Sequence, residues 1–310
     1  MRALVVDHSA PAHLALGDVP DPIPAPNEAL VRVEAASLNY GEVKTAHDPA
    51  AVAGEVIGWD AAGTVLKAAA DGSGPAAGTR VVTVGVTGWA QLRAVPATRL
   101  GVVPDGADLG AISTIPVAGL TALHVLRRLG QLVARRVMIT GATGGVGRYA
   151  VQLAARAGAE VVAISRDPAR AEELRELGAH EVLADPAAVG RPVYGVLDNV
   201  GGRQLVDAFA AVEAHGSLVS VGRSSGADSV FPHTALQGNE GRHDRSIRTF
   251  FLYGEPDTDF SADLTWLAAE VAEGRLDPGI TWRGPWTRYA EPAERLLAGQ
   301  LRGKAVLEID

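Results

Sequence analysis

Residues 137–147 read Val137-Met138-Ile139-Thr140-Gly141-Ala142-Thr143-Gly144-Gly145-Val146-Gly147. The apolar run at the start predicts a buried parallel strand, the glycines a tight turn, and Arg148 to Ala157 a helix that stops at Gly158. Val161 to Ile164 predict a second strand, completing a strand-turn-helix-strand unit over 137–164. A glycine-rich turn lets the backbone approach a pyrophosphate, and the helix N-terminus beyond it supplies N–H groups and partial positive charge. Gly141, Thr143, Gly144, Gly145, Val146 and Gly147 are therefore candidate cofactor-binding residues, with Gly147 where helix and strand pack closely.

The end of the second strand selects the cofactor. An Asp or Glu there would bind a ribose 2′-hydroxyl, whereas an Arg accommodates a 2′-phosphate. The sequence reads Ser165-Arg166, so NADPH is expected. Asp167 and Pro168 predict the N-cap and first residue of the next helix, with Arg170 in its first turn. A cation at that position opposes the helix dipole, so Arg170 either faces a bound phosphate or pairs with Glu173 along the helix.

Composition sets limits on function. The chain of 310 residues has room for two cores, and 47% hydrophobic with 21% charged residues is ordinary for a globular protein. A formal net charge of −8, with no Lys/Arg-rich block, argues against a nucleic-acid partner. The chain contains no cysteine, which excludes disulfides, thiol catalysis and cysteine-ligated zinc. Arg2 and Asp7 interrupt the opening apolar residues too early for a signal peptide, and the uncharged stretch 109–126 carries Pro116, two glycines, Ser, Thr and His. A cytoplasmic protein is the expectation.

Outward from the glycine turn, the chain changes character. Before about residue 110, prolines and glycines break it into short strand-like pieces at 29–36, 63–67, 80–84 and 90–95, which suggest a small barrel or sandwich. Residues 117–129 predict a helix apolar on nearly every side. After the glycine unit come a helix over 168–177, a strand ending at Asp198-Asn199, a helix over 203–212 and a strand over 217–221. This alternation predicts a doubly wound, mostly parallel sheet, whose ligands bind at the carboxyl ends of strands, where Asn199 and Gly222 fall. Residues 223–248 read as a surface loop, Phe250 to Tyr253 as an edge strand suited to a homodimer contact, 261–272 and 291–298 as helices, and 304–309 as a final strand.

Taken in order, Ser37-Leu38-Asn39-Tyr40, Gly58-Trp59-Asp60-Ala61-Ala62-Gly63, Gly78-Thr79-Arg80-Val81, Ala118-Gly119-Leu120-Thr121-Ala122, the glycine turn, Asp198-Asn199-Val200-Gly201-Gly202 and Gly303-Lys304-Ala305-Val306-Leu307 resemble the medium-chain dehydrogenase/reductase superfamily. Within it, the chain is most similar to the zinc-independent quinone oxidoreductase and enoyl reductase branch. The resemblance implies a GroES-like substrate domain over 1–112 and 253–310 and a Rossmann domain over 113–252. It also implies that Asn39, Trp59 and Val117 occupy the places that hold zinc ligands in zinc-dependent members, and none of them suits zinc. The glycine turn also fits the short-chain reductase pattern. That family needs Tyr-x-x-x-Lys well after the turn, and the one match, Tyr40 to Lys44, precedes it.

Without a Lewis acid, alcohol oxidation is disfavoured, and reduction of an enone, an enoyl thioester or a quinone is the expected chemistry. Such an acceptor needs one or two oriented donors for the developing enolate. The resemblance places Asn39 beside the nicotinamide as first candidate and Tyr40 as second. A helical turn over 40–44 would set Lys44 on the same face as Tyr40. The resemblance also implies that Thr121 and Lys304 contact the cofactor. Trp59, Trp89, Phe250 and Phe251 are candidates for a flat apolar pocket, with Phe251 also a candidate cofactor contact. The eight histidines, His8, His13, His124 and His243 among them, show no metal-ligand spacing and are expected on surfaces. Two alternatives stand beside a general NADPH-dependent reductase: a dedicated polyketide-type enoyl reductase, and a protein that binds NADPH without turnover.

Overall fold

The computed structural model describes residues 1–239, 241–254 and 258–310. Glu240 of the expected surface loop and residues 255–257 of the expected substrate domain lie outside the described residues. By its internal contacts the chain forms two units, Met1–Leu120 with Glu255–Asp310, and Thr121–Gly254.

The first unit opens with β1 (Arg2–Val6), β2 (Leu14–Asp18) and β3 (Glu28–Ser37), then α1 (Tyr40–Ala46), β4 (Asp60–Lys67), β5 (Arg80–Val84), β6 (Leu92–Pro96), β7 (Leu100–Val102) and α2 (Leu109–Ile112). Helix α3 (Ile115–Arg128) follows, two residues earlier than its apolar run suggested. The second unit holds β8 (Arg136–Ile139), α4 (Gly145–Arg156), β9 (Glu160–Ile164), α5 (Ala171–Glu176), β10 (Glu181–Leu183), β11 (Val193–Asp198), α6 (Gly202–Ala210), β12 (Val212–Ser220) and β13 (Ser246–Thr249). The chain then returns to the first unit through α7 (Ser261–Ala272), β14 (Ile280–Pro285), α8 (Ala290–Leu297) and β15 (Lys304–Glu308). Among the described residues no helix is long and apolar enough to cross a membrane.

The first unit is built on antiparallel ladders, apart from the parallel pairing of β14 with β15. Strand β3 pairs with β4, β6 and β15, and the path β14-β15-β3-β4-β5-β7 makes a seven-stranded sheet with β6 against β3. Alternation of buried and open residues along Glu28–Arg32 marks one covered face. That face carries Ala29 and Val31 into a core with Val65, Val81, Val95 and Leu100, and a second core gathers Leu4, Leu14, Val33, Leu38, Trp89, Trp286 and Leu307. Pairing of β15 with β3 brings Lys304 to the start of α1, far from it in sequence.

The second unit is a six-stranded parallel sheet of order β10-β9-β8-β11-β12-β13. The buried runs Val137–Ile139, Val161–Ile164 and Val196–Leu197 are apolar without alternation, as a sheet covered on both faces requires. Strand order reverses between β8 and β11, because α4 leads outward to β9 on one side while α6 leads to β12 on the other.

One expected strand is displaced. The edge strand is Ser246–Thr249, inside the segment read as loop, and not Phe250–Tyr253. Its register with β12 runs from Ser217↔Ser246 to Ser220↔Thr249. Phe250 then turns inward, stacked on His124 with Arg128 over its ring, and Leu252–Gly254 form a single 3₁₀ turn.

Candidate functional site

In the second unit the carboxyl ends of β8 and β11 meet where the strand order reverses. Thr140 Oγ1 donates to Asp198 Oδ1 at 2.6 Å, joining the two strand ends. Asp198 also accepts from the Gly201 amide at 2.9 Å, while Asn199 Nδ2 donates to Thr140 O at 2.9 Å. Burial pushes the Asp198 carboxyl up, against the hydrogen bonds from Thr140, Gly201 and Val200. Gly222 closes the floor: a Cβ there would come within 2.4 Å of Asn199 O.

The glycine turn lies on the same rim. Gly141 has φ +59°, and a Cβ on Gly147 would stand 2.2 Å from Gly141 O, so only glycine lets α4 pack onto β8 here. Gly144 is the N-cap of α4, and the first-turn amides of Gly145, Val146 and Gly147 have no partner within the helix. Gly144 is exposed on the turn and Thr143 half-buried. This glycine-rich backbone cradle, fronted by a helix N-terminus, fits a pyrophosphate. It presents the expected Gly141 to Gly147 set together with Asn199 and Gly222.

Beyond β9, Asp167 caps the next turn through Ala169 N, and the buried Ser165 hydroxyl bonds to the Asp167 backbone. Arg166 is exposed. Arg170 is ion-paired to Glu173, which also takes Arg148. Burial opposes the Glu173 charge, but hydrogen bonds from Arg170 and Arg148 outweigh it and hold the carboxyl below its ordinary range. Of the two residues expected at a 2′-phosphate, Arg166 is thus presented to solvent, whereas Arg170 makes the helix-face pair. Thr121 is buried in α3, and Phe251 is 65% exposed beside Tyr253.

The first unit holds a buried charged cluster that sequence reasoning reached only in part. Asp60 Oδ2 accepts from Ser37 Oγ and Asn39 Nδ2, both at 2.7 Å, and from Lys304 Nζ at 3.3 Å. Its Oδ1 accepts from the Val117 amide at 2.9 Å. Lys304, 3% exposed, also donates to Asn39 Oδ1 at 2.8 Å and to Leu38 O at 3.1 Å. Glu42 accepts from the amides of Asn39 and Trp59 at 2.7 and 2.6 Å. Burial, and next the neighbouring Asp60 charge, push the Glu42 carboxyl well above its usual range, against the Asn39 amide, Lys304 and the Trp59 amide.

Two of the expected site residues are engaged within this cluster. All three ammonium protons of Lys304 have partners here, and it is the counter-ion of Asp60. Both amide protons of Asn39 go to Asp60 and Glu42. The signal that would have found this cluster is the pairing of two acidic residues, Glu42 and Asp60, with Lys304 in the final strand. Lys44 does share a face with Tyr40, its Nζ 5.9 Å from the ring centroid, and no hydrogen bond joins it to the phenol oxygen.

Asn39, Trp59 and Val117, the positions likened to zinc ligands, do gather around this cluster, but through backbone amides and a spent side-chain amide. An indole and an isopropyl group offer no ligand atom, so the set does not fit zinc. Two of the four aromatics expected to line a flat pocket are engaged within their own units. Trp89 is wholly buried with its indole donating to Ser37 O, and Phe250 is packed against His124. His124 itself is 9% exposed and His13 stacks on His47 at 4.2 Å, so neither is a surface histidine of the kind expected.

The chain is similar to known proteins along most of its length. Residues 25–106 match the alcohol dehydrogenase GroES-like domain, and residues 145–269 match the zinc-binding dehydrogenase family. The chain is 30% identical over 230 residues to a putative quinone oxidoreductase, YhfP, of Bacillus subtilis, covering 66% of this chain and 68% of that protein. It is 30% identical over 256 residues to the acrylyl-CoA reductase AcuI of Ruegeria pomeroyi, covering 73% and 76%. A mycobacterial protein solved in complex with NADPH superposes with a TM-score of 0.85 at 24% identity, over 99% of each chain. The chain spans 57% of the length of a probable formaldehyde dehydrogenase of Bacillus subtilis, and 11% and 5% of polyketide synthases of Aspergillus niger and Streptomyces halstedii. It belongs to the medium-chain dehydrogenase/reductase superfamily, in the quinone oxidoreductase and enoyl reductase branch.

Proposed function

We propose that this chain uses NADPH, without zinc, to reduce an electron-poor C=C bond of an enone or enoyl thioester, or a quinone. The observation that carries the proposal is the cluster around Asp60. Of the places likened to zinc ligands, Trp59 and Val117 supply no ligand atom and the Asn39 amide is engaged by Asp60, Glu42 and Lys304, while the Asp60 and Lys304 charges pair with each other. A carbonyl there meets no Lewis acid, so the acceptor must be activated by its own conjugation.

When bound, NADPH supplies hydride to the β carbon of the acceptor. The residues of the chain then have three tasks. The Gly141–Gly147 turn and the Asn199–Gly222 floor hold the pyrophosphate and ribose, with Thr121 and Phe251 as further contacts. Ser165 and Arg166 receive the 2′-phosphate. Tyr40, at the first turn of α1, donates a proton toward the developing enolate oxygen. Asn39, Asp60 and Lys304 act as positioning residues, fixing the start of α1 and therefore Tyr40. The expected domain division, 1–112 with 253–310 and 113–252, is kept as part of the proposal, as is a homodimer built on the open edge of β13.

A second reading has its own support. The matches to polyketide synthases at 30% identity, one spanning 88% of this chain, favour an enoyl thioester over a quinone. The test is NADPH oxidation followed by absorbance with quinones, unsaturated ketones and unsaturated thioesters, each repeated with NADH. Turnover restricted to conjugated C=C acceptors and to NADPH supports the proposal. Equal use of NADH overturns the phosphate assignment, and tight NADPH binding with no turnover overturns the enzymatic reading.

A further inference from the structure

The spacing of the histidines predicts no metal site, yet folding brings His215, His243 and Asp244 together in the second unit, with one ligand atom from each within 4.8 Å of the others. His215 sits at a bend in β12 with φ +62°, and Asp244 has φ +56°. The following Gly216 approaches its neighbours so closely that a Cβ would come within 2.5 Å of Tyr194 O, which pins the bend. His215 N donates to His243 O at 3.1 Å, and His215 Nδ1 lies 3.5 Å from Asp244 Oδ2. The two imidazoles meet edge to face with centroids 4.9 Å apart.

The far side of the cluster is anchored independently. The Arg245 guanidinium donates to the carbonyls of Arg242, Phe209 and Ala235, each at 2.9 Å, and lies over the Phe209 ring. Its charge is thereby directed onto backbone oxygens. Two fixed backbones thus present two imidazoles and a carboxylate to solvent, in conformations that a non-glycine residue adopts at a cost.

We propose that His215, His243 and Asp244 form a binding site for a divalent transition ion, Zn²⁺ being the probe. Two nitrogens and one oxygen suit Zn²⁺, Ni²⁺ or Cu²⁺ and not Mg²⁺ or Ca²⁺, which prefer all-oxygen sets. The 3.5 Å between His215 Nδ1 and Asp244 Oδ2 is close to the ligand–ligand edge of a tetrahedron with bonds of about 2.0–2.2 Å, so small side-chain rotations close the site. Water takes the remaining position. The ion would clip the segment leading into β13 onto β12. This site is separate from the cofactor cradle and does not depend on the proposed reaction.

The test uses the full chain after treatment with a chelator. Zn²⁺ is titrated in competition with a chromophoric chelator, with Mg²⁺ as control, on the wild type and on His215→Asn, His243→Asn and Asp244→Asn. Asparagine tolerates positive φ, and all three side chains are exposed, so the variants keep the metal-free thermal midpoint. The expected result is one Zn²⁺ per chain, bound at least tenfold more weakly by each variant, with a Zn²⁺-dependent rise in the midpoint that the variants lose. Zn²⁺ affinity in the wild type no greater than in the variants, including no binding at all, would reduce the cluster to a surface ion pair and overturn the proposal.

Discussion

Replacing Lys304 by Met keeps an unbranched apolar stem and removes the ammonium that Asp60, Asn39 and Leu38 share. Asp60 is fully buried and would keep only Ser37, Asn39 and the Val117 amide as donors. Leaving one member of a buried ion pair uncompensated costs about 3–5 kcal/mol. At roughly 2–4 °C per kcal/mol for a domain of this size, the midpoint should fall by about 6–20 °C. The assay isolates the right unit, because all five tryptophans, Trp59, Trp89, Trp266, Trp282 and Trp286, lie in the first unit and their fluorescence reports it alone. Adding Asp60→Asn should restore part of the loss, since the charge left behind is then removed, with a coupling of about 0.5–3 kcal/mol. A midpoint for Lys304→Met within about 2 °C of wild type, or strict additivity in the double variant, would refute the view that this pair organises the start of α1.

Other substitutions separate the remaining roles. Glu42 has its folded pKa raised, so its contribution to stability is complete below the ordinary Glu value of about 4.3 and is lost as pH rises through the folded pKa; Glu42→Gln should flatten that decline in a plot of midpoint against pH. Gly147→Ala would put a Cβ 2.2 Å from Gly141 O, and titration calorimetry should show NADPH affinity reduced by at least about tenfold, which is 1.4 kcal/mol. Arg166→Ala should weaken NADPH by roughly ten- to a hundredfold, the worth of a charge-assisted hydrogen bond, while leaving NADH unchanged in the same titration. Tyr40→Phe should lower turnover with NADPH affinity intact; unchanged turnover would remove Tyr40 from the mechanism.

The parallel unit was legible in sequence because its signals are local. The run Val137–Ile139, the glycines and the helix after them lie within a few residues of one another, and buried parallel strands are apolar throughout, so no pairing partner need be known. Strands without a continuous apolar run were harder to see. β1 and β14 do not stand out in the sequence, β14 because Arg283, Gly284 and Pro285 interrupt it, although each pairs with the next strand along the chain, and β13 falls four residues before the stretch expected because Phe250 and Phe251 look more strand-like than Ser246–Thr249.

The site divided along the same line. Cradle residues Gly141 to Gly147, with Asn199 and Gly222, are set by backbone geometry that glycine announces directly. Asn39 and Lys304 were identified as residues of interest, but their roles followed from contacts across the antiparallel sheet, where Asp60 and Glu42 draw them together. The histidine spacing gave no warning of His215 beside His243, because a strand bend and a loop anchored by Arg245 create that neighbourhood.

The most direct test of the central claim follows the hydride itself. NADPH deuterated on the transferred position of the nicotinamide is supplied with an α,β-unsaturated thioester, and the product is read by mass spectrometry and NMR. The account predicts a single deuterium on the β carbon of a saturated thioester. Deuterium at the carbonyl carbon of an alcohol product, or a saturated product without deuterium, would contradict it.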